Sequence, residues 1–357
     1  MKAVDLHCDT LSALRHARKE GRALDPASAD LQIDLDKLEK GGSLLQCFAA
    51  FVFLKGEDDP LTAALEEIDE FYAMAERYPG RIVPVKTWAD LERARAEGKT
   101  GAMLTLEEGG ICKGNLSVRR ALYRLGARIM TLTWNFENEL AWPNIIDMET
   151  GTSTPETVNG LTERGREFVA EMERLGMILD VSHLGDAGFW AVAECSERPF
   201  IATHSNARAV CPHTRNLTDE MLRAVADRGG ITGINFCGAF LDPGEKPYST
   251  VHWMGEHIEH IRRVGGIDMI ALGSDFDGIE RELEVSDYSR LPLLEDELRR
   301  RHFSDDEIEK IFQGNALRVL TEFLPERSGT EKPKRTAWEG CAFFPVPASR
   351  AGLRSSR

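Results

Sequence analysis

Short apolar runs alternate with amphipathic stretches along most of the chain. The amphipathic stretches, such as 88–98 (WADLERARAEG) and 219–230 (DEMLRAVADRGG), have the period of helices. The apolar runs have the length of buried strands and lie at the start of the chain and at 44–52, 81–87, 100–110, 127–134, 177–183, 198–205, 231–236 and 269–278. This alternation is typical of repeated β–α units, and the number of runs favours a (β/α)8 TIM barrel over an open sheet.

The chain length fits one barrel. Its 357 residues accommodate a barrel of roughly 250 residues with insertions, so we predict a single catalytic barrel domain over 1–327. The remaining segment, 328–357, is basic, rich in Gly, Pro and Ser, and without periodicity, which predicts a mobile C-terminal tail. No GxGxxG follows the first apolar run, so nothing here indicates a dinucleotide-binding fold.

Charge and cysteine usage narrow the class of protein. The net charge of -15 argues against nucleic-acid partners and against binding to anionic membranes. The N-terminus has no apolar segment typical of a signal peptide, and no run of about 18 apolar residues predicts a membrane span. The seven cysteines are scattered without a CxxC pair, which is typical of reduced thiols and predicts a cytoplasmic protein.

Polar side chains that bind metals end several of the predicted strands. They are His7 and Asp9, Glu107 or Glu108, His183, His204 and Asp275. Residues i and i+2 of a strand share one face, so His7 and Asp9 are expected to face the same spot. A lone His-x-Asp is more often a buried polar pair. The carboxyl ends of barrel strands converge at one mouth, however, and imidazoles with carboxylates are the ligand set of zinc-like metals.

Several motifs, in order, resemble the membrane (renal) dipeptidase family of zinc peptidases, peptidase family M19. The resemblance runs from DLHCDT (5–10) to GNALRVL (314–320). Between these ends it is carried by LEEGG (106–110), LYRLGARIMTLTWN (122–135), LDVSHLG (179–185), THSNARAVCPHTRNLTDE (203–220) and GSDFDG (273–278). The resemblance implies an amidohydrolase-like, metal-dependent barrel that hydrolyses short peptides, without the signal peptide and lipid anchor of the best-known members.

The resemblance also implies a set of metal ligands. It implies two zinc ions per chain, with His7 and Asp9 on one ion and His183 and His204 on the other. Glu107, together with a water or hydroxide, is implied to bridge the two ions. Glu108 stays an alternative bridge, because the motif aligns with Glu107 from the glycine on one side and with Glu108 from the glycines on the other.

The same comparison of motifs assigns roles toward the substrate. Asp275 matches the acid/base aspartate, and Asp277 shares its strand parity and competes for that role. Arg215 matches the arginine that holds the free C-terminal carboxylate of the peptide, a task suited to the planar guanidinium fork. The implied substrates are therefore small dipeptides of the L-Xaa-L/D-Xaa type.

Two positions depart from the family pattern. Trp134 stands where the best-known members carry a histidine that steadies the reacting carbonyl, and Asn135 follows it. An indole N–H or an amide can still donate a hydrogen bond, so we include Trp134 and Asn135 in the predicted substrate-binding set. Cys237 replaces a family tyrosine. These changes leave open which substrate side chains are preferred and whether the second residue of the substrate is L or D.

Three further interpretations accompany this prediction. The resemblance implies a homodimer, although no sequence motif supports it. Another barrel metal hydrolase, such as a lactonase or amidohydrolase, is the nearest alternative enzyme. A non-catalytic relative that only binds metal is the alternative outside enzymes, although such a relative would be expected to lose ligands.

Overall fold

A computed structural model describes residues 1–57, 59–147 and 149–327 of the protein. The predicted tail, 328–357, lies outside the described residues. No described helix is both long enough and apolar enough to cross a membrane.

The strands form a predominantly parallel, curled sheet. In chain order they are β1 (Ala3–Asp5), β2 (Ser43–Phe51), β3 (Ile82–Pro84), β4 (Thr100–Glu107), β5 (Ile129–Thr131), β6 (Ile145–Ile146), β7 (Ser153–Thr154), β8 (Ile178–Asp180), β9 (Thr232–Ile234) and β10 (Ile270–Leu272). The main sheet has the order β8–β5–β4–β2–β1–β10–β9, and every pairing in it is parallel. Strands β6 and β7 form a separate antiparallel hairpin.

The barrel closes through a segment too short to count as a strand. Asp180 at the end of β8 forms a parallel bridge with Ile201, and Ala202 forms one with Thr232 of β9. The predicted strand at 198–205 is therefore reduced to these two bridges, which complete a ring of eight parallel members. Strand β3 pairs with the first half of β4, on the side where β5 pairs with the second half, and so lies beside the ring.

Glycines allow this segment to pack closely against the sheet. A Cβ atom at Gly233 would lie 2.0 Å from the carbonyl oxygen of Thr203, and one at Gly273 would lie 1.8 Å from it. No side chain fits at such distances, so β9 and β10 approach the segment only because both positions are glycine. The residue that follows, His204, is thereby held at the mouth of the barrel.

Helices follow the strands and surround the sheet. They are α1 (Thr10–Lys19), α2 (Leu35–Lys40), α3 (Pro60–Arg77), α4 (Trp88–Ala96), α5 (Leu116–Leu125), α6 (Glu163–Leu175), α7 (Asp186–Cys195), α8 (Asp219–Asp227), α9 (Gly238–Leu241), α10 (Val251–Gly265), α11 (Pro292–Arg300), α12 (Asp305–Glu309) and α13 (Asn315–Phe323). Short 3-10 segments lie at Leu54–Gly56, Gly109–Cys112, Ile267–Met269 and Tyr288–Arg290, and a π-helical turn at Lys310–Gly314 precedes α13.

Two apolar layers hold the barrel together. The larger layer lies between the sheet and the surrounding helices, and it includes the buried rings of Phe48, Phe71 and Phe168. The smaller layer combines strand residues, such as Val4 and Met103, with apolar side chains of α13. Helix α13 therefore packs against the interior of the barrel, while polar residues collect at the carboxyl ends of the strands, where barrel enzymes carry their sites.

Candidate metal centre

The first predicted pair lies just beyond its strand. Strand β1 ends at Asp5, so the expectation that His7 and Asp9 share one strand face is wrong in detail. Both residues lie in the connection to α1, where Cys8 forms a parallel bridge with Phe276 and Asp9 is the residue before the helix. The two side chains still converge, with His7 Nε2 lying 3.6 Å from Asp9 Oδ2.

Glu107 ends β4 and lies between two groups of candidate ligands. Its Oε1 atom is 3.0 Å from His183 Nε2 and 3.6 Å from His204 Nε2. Its Oε2 atom is 3.2 Å from His7 Nε2. The two sets His7–Asp9–Glu107 and Glu107–His183–His204 each bring their ligand atoms within 4.8 Å of one another. Glu107 thus occupies the position that a bridging carboxylate requires.

Hydrogen bonds fix how the two histidines of the second group present their rings. His183 Nδ1 lies 2.9 Å from Asn135 Oδ1, an acceptor, so Nδ1 carries the proton. His204 Nδ1 lies 2.7 Å from Thr203 Oγ1, whose own hydrogen is donated to Asp180. Both rings therefore direct the lone pair of Nε2 into the site.

This arrangement is that of a cation site. The two Nε2 atoms lie 3.0 Å apart, and with a lone pair on each they have no hydrogen to share. His7 Nε2 and Asp9 Oδ1 are buried and have no hydrogen-bond partner among the described residues. Converging acceptors with buried, unsatisfied atoms are costly unless a cation lies between them. The donor set of imidazoles and carboxylates fits borderline divalent metals such as zinc.

Burial and neighbouring charges shift the pKa values of the candidate ligands. Burial alone would raise the pKa of Glu107, but His7 and His183 outweigh it and hold that pKa well below its usual range. Burial, together with the nearby charge of Arg215, lowers the pKa of His183 to about 3. Burial would lower the pKa of His7, but Glu107 and Asp9 outweigh it and raise that pKa well above its usual value. The low pKa values of His183 and Glu107 suit metal binding, whereas a metal at His7 would displace a proton from its ring.

Glu108 is buried but points elsewhere. Its Oε2 atom accepts a hydrogen bond from the Trp134 backbone N–H at 2.9 Å, and its Oε1 atom accepts from the Gly110 N–H and the Asn138 amide. Its backbone has a φ of 97°, a conformation that is uncommon outside glycine. The two successive glutamates therefore lie in different surroundings, Glu107 among the ligands and Glu108 against the loop that carries Trp134.

Asp275 lies beside the cluster, as predicted. Its Oδ1 atom is 3.7 Å from His7 Nε2, and its Oδ2 atom accepts a hydrogen bond from the Asn235 amide at 2.8 Å. Burial, followed by the nearby charges of Asp9 and Glu107, raises its pKa to about 7. A carboxylate with such a pKa is suited to exchange protons near neutral pH.

Asp277, the alternative to Asp275, is engaged outside the cluster. It accepts hydrogen bonds at 2.6 Å from the Thr10 hydroxyl and from the Gln32 backbone N–H. Its own N–H donates to the Gln32 side chain at 2.7 Å. These contacts join the loop after β10 to the loop before α2, so the structure gives Asp277 a structural role.

Asn235 is a residue of the site that the sequence analysis did not select. It follows β9 and links Asp275 to the loop that carries Arg215, because its backbone N–H donates to Asn206. Like the predicted ligands, it is a polar residue at the end of an apolar run, 231–236. The same pattern that selected the ligands could therefore have identified Asn235.

Arg215 has the surroundings of a ligand-binding cation. Only 4% of it is exposed, and its Nε and Nη1 atoms have no hydrogen-bond partner among the described residues. Its Nη2 atom makes one long hydrogen bond, 3.4 Å, to the His204 carbonyl. Burial lowers the pKa of its guanidinium, while the charges of Asp275 and Glu107 oppose that effect. A buried cation with unused donors is costly unless an anion completes it.

The remaining predicted residues flank the cluster. The Trp134 ring lies 6.0 Å from the His183 ring, centroid to centroid. Asn135 contacts His183 directly through its amide oxygen, so its position is that of a residue that orients the ring. Cys237 is buried at the start of α9, with its thiol 3.4 Å from a carboxylate oxygen of Glu280.

Comparison with known proteins decides the family. The sequence profile of the membrane dipeptidase family, peptidase family M19, matches residues 1–332. The chain belongs to this family. An uncharacterised protein from the pqqA 5′ region of Klebsiella pneumoniae is 34% identical over 267 residues, which cover 73% of this chain and 96% of that protein.

Solved structures of family members have the same fold. A metallopeptidase of family M19, dipeptidase AC, superimposes with a TM-score of 0.82 at 27% identity, covering 91% of this chain and 99% of the other. A Rhodobacter sphaeroides metallopeptidase, solved with a phosphinate mimic of the dipeptide L-Ala-D-Ala, gives 0.81 at 26% identity and covers 90% and 99%. These matches confirm the barrel fold and place this M19 family member among the metallo-dipeptidases.

Proposed function

We propose that this M19 protein is a binuclear zinc dipeptidase that acts on short peptides with a free C-terminal carboxylate. The observation that carries the proposal is Arg215, a buried guanidinium with unused donors directly beside the convergent ligands. A metal cluster alone is compatible with many hydrolases. A buried cation next to it selects substrates that bring a carboxylate to the reacting bond.

The ligand geometry supports two ions. His7 and Asp9 would hold one, His183 and His204 the other, and Glu107 would contribute one oxygen to each. When bound there, zinc would supply a water of lowered pKa and would polarise a peptide carbonyl.

The side chains of this chain supply the rest of the mechanism. Asp275 is placed to take the proton of the attacking water on the oxygen that faces His7 and to return it to the leaving amine. Asn235 holds the other oxygen, which keeps the carboxylate oriented during both transfers. Arg215 anchors the terminal carboxylate, so the peptide bond one residue away is presented to the cluster.

The substrate class follows from the reach of Arg215. One extended residue spans about 3.5 Å, and Arg215 bonds to the carbonyl of the candidate ligand His204, so a carboxylate anchored at Arg215 would bring the bond of a dipeptide close to the ligands. The Rhodobacter sphaeroides relative was solved with a mimic of L-Ala-D-Ala. We therefore include both L-L and L-D dipeptides among the substrates to be tested.

Two experiments together test this function. The purified protein is loaded with zinc, its metal content is measured, and hydrolysis of L-Ala-L-Ala, L-Ala-D-Ala and their C-terminal amides is followed. About two zinc per chain and preference for the free acids are expected. Two zinc without peptide hydrolysis points to another barrel metal hydrolase, such as a lactonase. Little bound zinc and no hydrolysis favours a non-catalytic relative.

The proposal also covers the cellular compartment and the oligomeric state of the protein. All six cysteines among the described residues are free thiols, which supports the prediction of a reducing compartment such as the cytoplasm. A homodimer stays a prediction, which light scattering on the purified protein tests. Partners other than the small peptide, including nucleic acid and membranes, are not expected at a net charge of -15.

A further inference from the structure

Four aromatic rings form a continuous surface beside the metal ligands. This aromatic wall consists of Phe51, Phe53, Trp134 and Phe136. The Trp134 ring is central, with ring centroids 5.0 Å from Phe51, 5.6 Å from Phe53 and 5.6 Å from Phe136. Phe53 and Phe136 are also in contact, at 5.4 Å.

The wall is exposed at the mouth, and the backbones of two of its members are anchored by buried carboxylates. Phe53 is 40% exposed, and the other three rings are partly exposed. The Phe51 backbone N–H donates to the buried carboxylate of Glu67 at 2.8 Å, and Glu108 accepts from the Trp134 N–H. An apolar surface that is exposed, fixed and next to a reactive centre has the properties of a binding surface.

The wall and Arg215 lie on opposite sides of the ligands. Phe51 ends β2 and Phe53 follows it, and Trp134 and Phe136 follow β5, so the wall lies on one half of the barrel ring. Arg215 follows the segment at 201–202 and lies near Phe240, which follows β9, on the other half. Glu107, His183 and His204 lie between them.

We infer that the aromatic wall binds the side chain of the N-terminal residue of the substrate and favours aromatic or large apolar side chains there. The inference rests on the proposed function, because Arg215 sets the direction of the peptide. With the carboxylate at Arg215 and the scissile carbonyl at the metal ligands, the N-terminal residue extends toward the wall. Offset and edge-to-face contacts with these rings then favour an aromatic side chain over a methyl group.

The test compares dipeptides that exchange their residues. For the zinc-loaded wild-type protein, we expect kcat/KM for Phe-Ala to exceed that for Ala-Ala by roughly 5- to 20-fold. Ala-Phe should gain much less, because its ring lies on the Arg215 side. Phe53→Ala should remove most of the advantage of Phe-Ala, and Phe53→Leu should restore part of it. Trp190→Ala is the matched control, since Trp190 is 43% exposed on α7, outside the wall.

The outcomes separate this inference from the proposed function. Equal rates on Phe-Ala and Ala-Ala, with both hydrolysed, overturn the inference and leave the dipeptidase intact. An advantage for Ala-Phe that disappears in Phe53→Ala places the wall on the C-terminal side and also overturns it. An equal loss on every dipeptide in both Phe53 variants gives the wall a structural role only. Hydrolysis of no dipeptide by the zinc-loaded wild type overturns the proposed function and the inference together.

Discussion

The candidate metal ligands and the proposed substrate-binding side chains are carried by different kinds of segment. The candidate metal ligands lie at or just beyond strand ends, where the ring of parallel strands fixes their spacing. Arg215 and most of the aromatic wall, which lie on opposite sides of these ligands, are carried by connections beyond the strands and make hydrogen bonds to buried groups. The positions of the metal ligands are therefore fixed by the barrel. The segments proposed to bind the substrate can change without disturbing the ring of strands.

Two residues of the candidate site have an unusual backbone conformation. His183 has a φ of 66° and Asp275 a φ of 64°, values that few residues other than glycine adopt. Such conformations cost energy and persist where the surroundings impose them. Here both residues turn the chain at the end of a strand, and the turn directs each side chain toward Glu107 or His7.

The largest expected effect comes from the residue between the two ligand groups. Glu107→Gln replaces an oxygen that either group requires, so we expect loss of both zinc ions and of detectable hydrolysis. Metal analysis after dialysis, with activity at saturating substrate, measures this. Glu108→Gln is the matched control and should keep both ions, because the carboxylate of Glu108 accepts its hydrogen bonds from Trp134, Gly110 and Asn138 and not from the candidate ligands. The reverse pattern would make Glu108 the bridge.

The next effect concerns proton transfer and spares the metals. Asp275→Asn should keep two zinc ions and lower kcat by roughly 10²–10⁴, the range of a positioned general acid/base. Asp277→Asn is the control, because its contacts to Thr10 and Gln32 lie outside the cluster. If Asp277→Asn shows the large loss and Asp275→Asn stays near wild type, the roles are exchanged.

A smaller effect is expected on the substrate side. Arg215→Ala should lower kcat/KM for free-acid dipeptides by about ten- to a few-hundredfold, since a charge-assisted bidentate pair is lost. C-terminal amides, which cannot use the guanidinium fork, should lose little. Arg215→Lys should restore only part, because an ammonium lacks the planar two-point contact. An equal loss on acids and amides would give Arg215 a structural role in its loop.

The sequence allowed the barrel and its ligand positions to be predicted for a physical reason. Apolar runs ending in His183, His204 or Glu107 combine a strand signal with a polar residue that would be costly to bury without purpose. The choice between Glu107 and Glu108 could not be made from the sequence, because both end the same apolar run and only the contacts of each carboxylate in the fold separate them.

The parts that escaped prediction depend on contacts distant in sequence. The reduction of 198–205 to two bridges follows from how Gly233 and Gly273 admit the Thr203 carbonyl. Asn135, expected to face the substrate, contacts His183, 48 residues away. The aromatic wall joins residues at the end of β2 with residues after β5, and periodicity within one segment carries no information on such a contact.

The smallest predicted effect tests whether Glu108 supports the wall without taking part in the chemistry. Each of its oxygens accepts from at least one donor, so an amide nitrogen in Glu108→Gln must face the Trp134 N–H or the donors at Gly110 and Asn138. One buried donor is then left without an acceptor, which costs about 1–3 kcal/mol. Thermal unfolding of the zinc-loaded proteins should show a lower midpoint for this variant, while its zinc content stays at the wild-type level. Because the Trp134 backbone is less firmly held, kcat/KM for Phe-Ala should fall more than that for Ala-Ala. An unchanged midpoint would mean that the surroundings of Glu108 rearrange, and its contact with Trp134 would then not hold the wall.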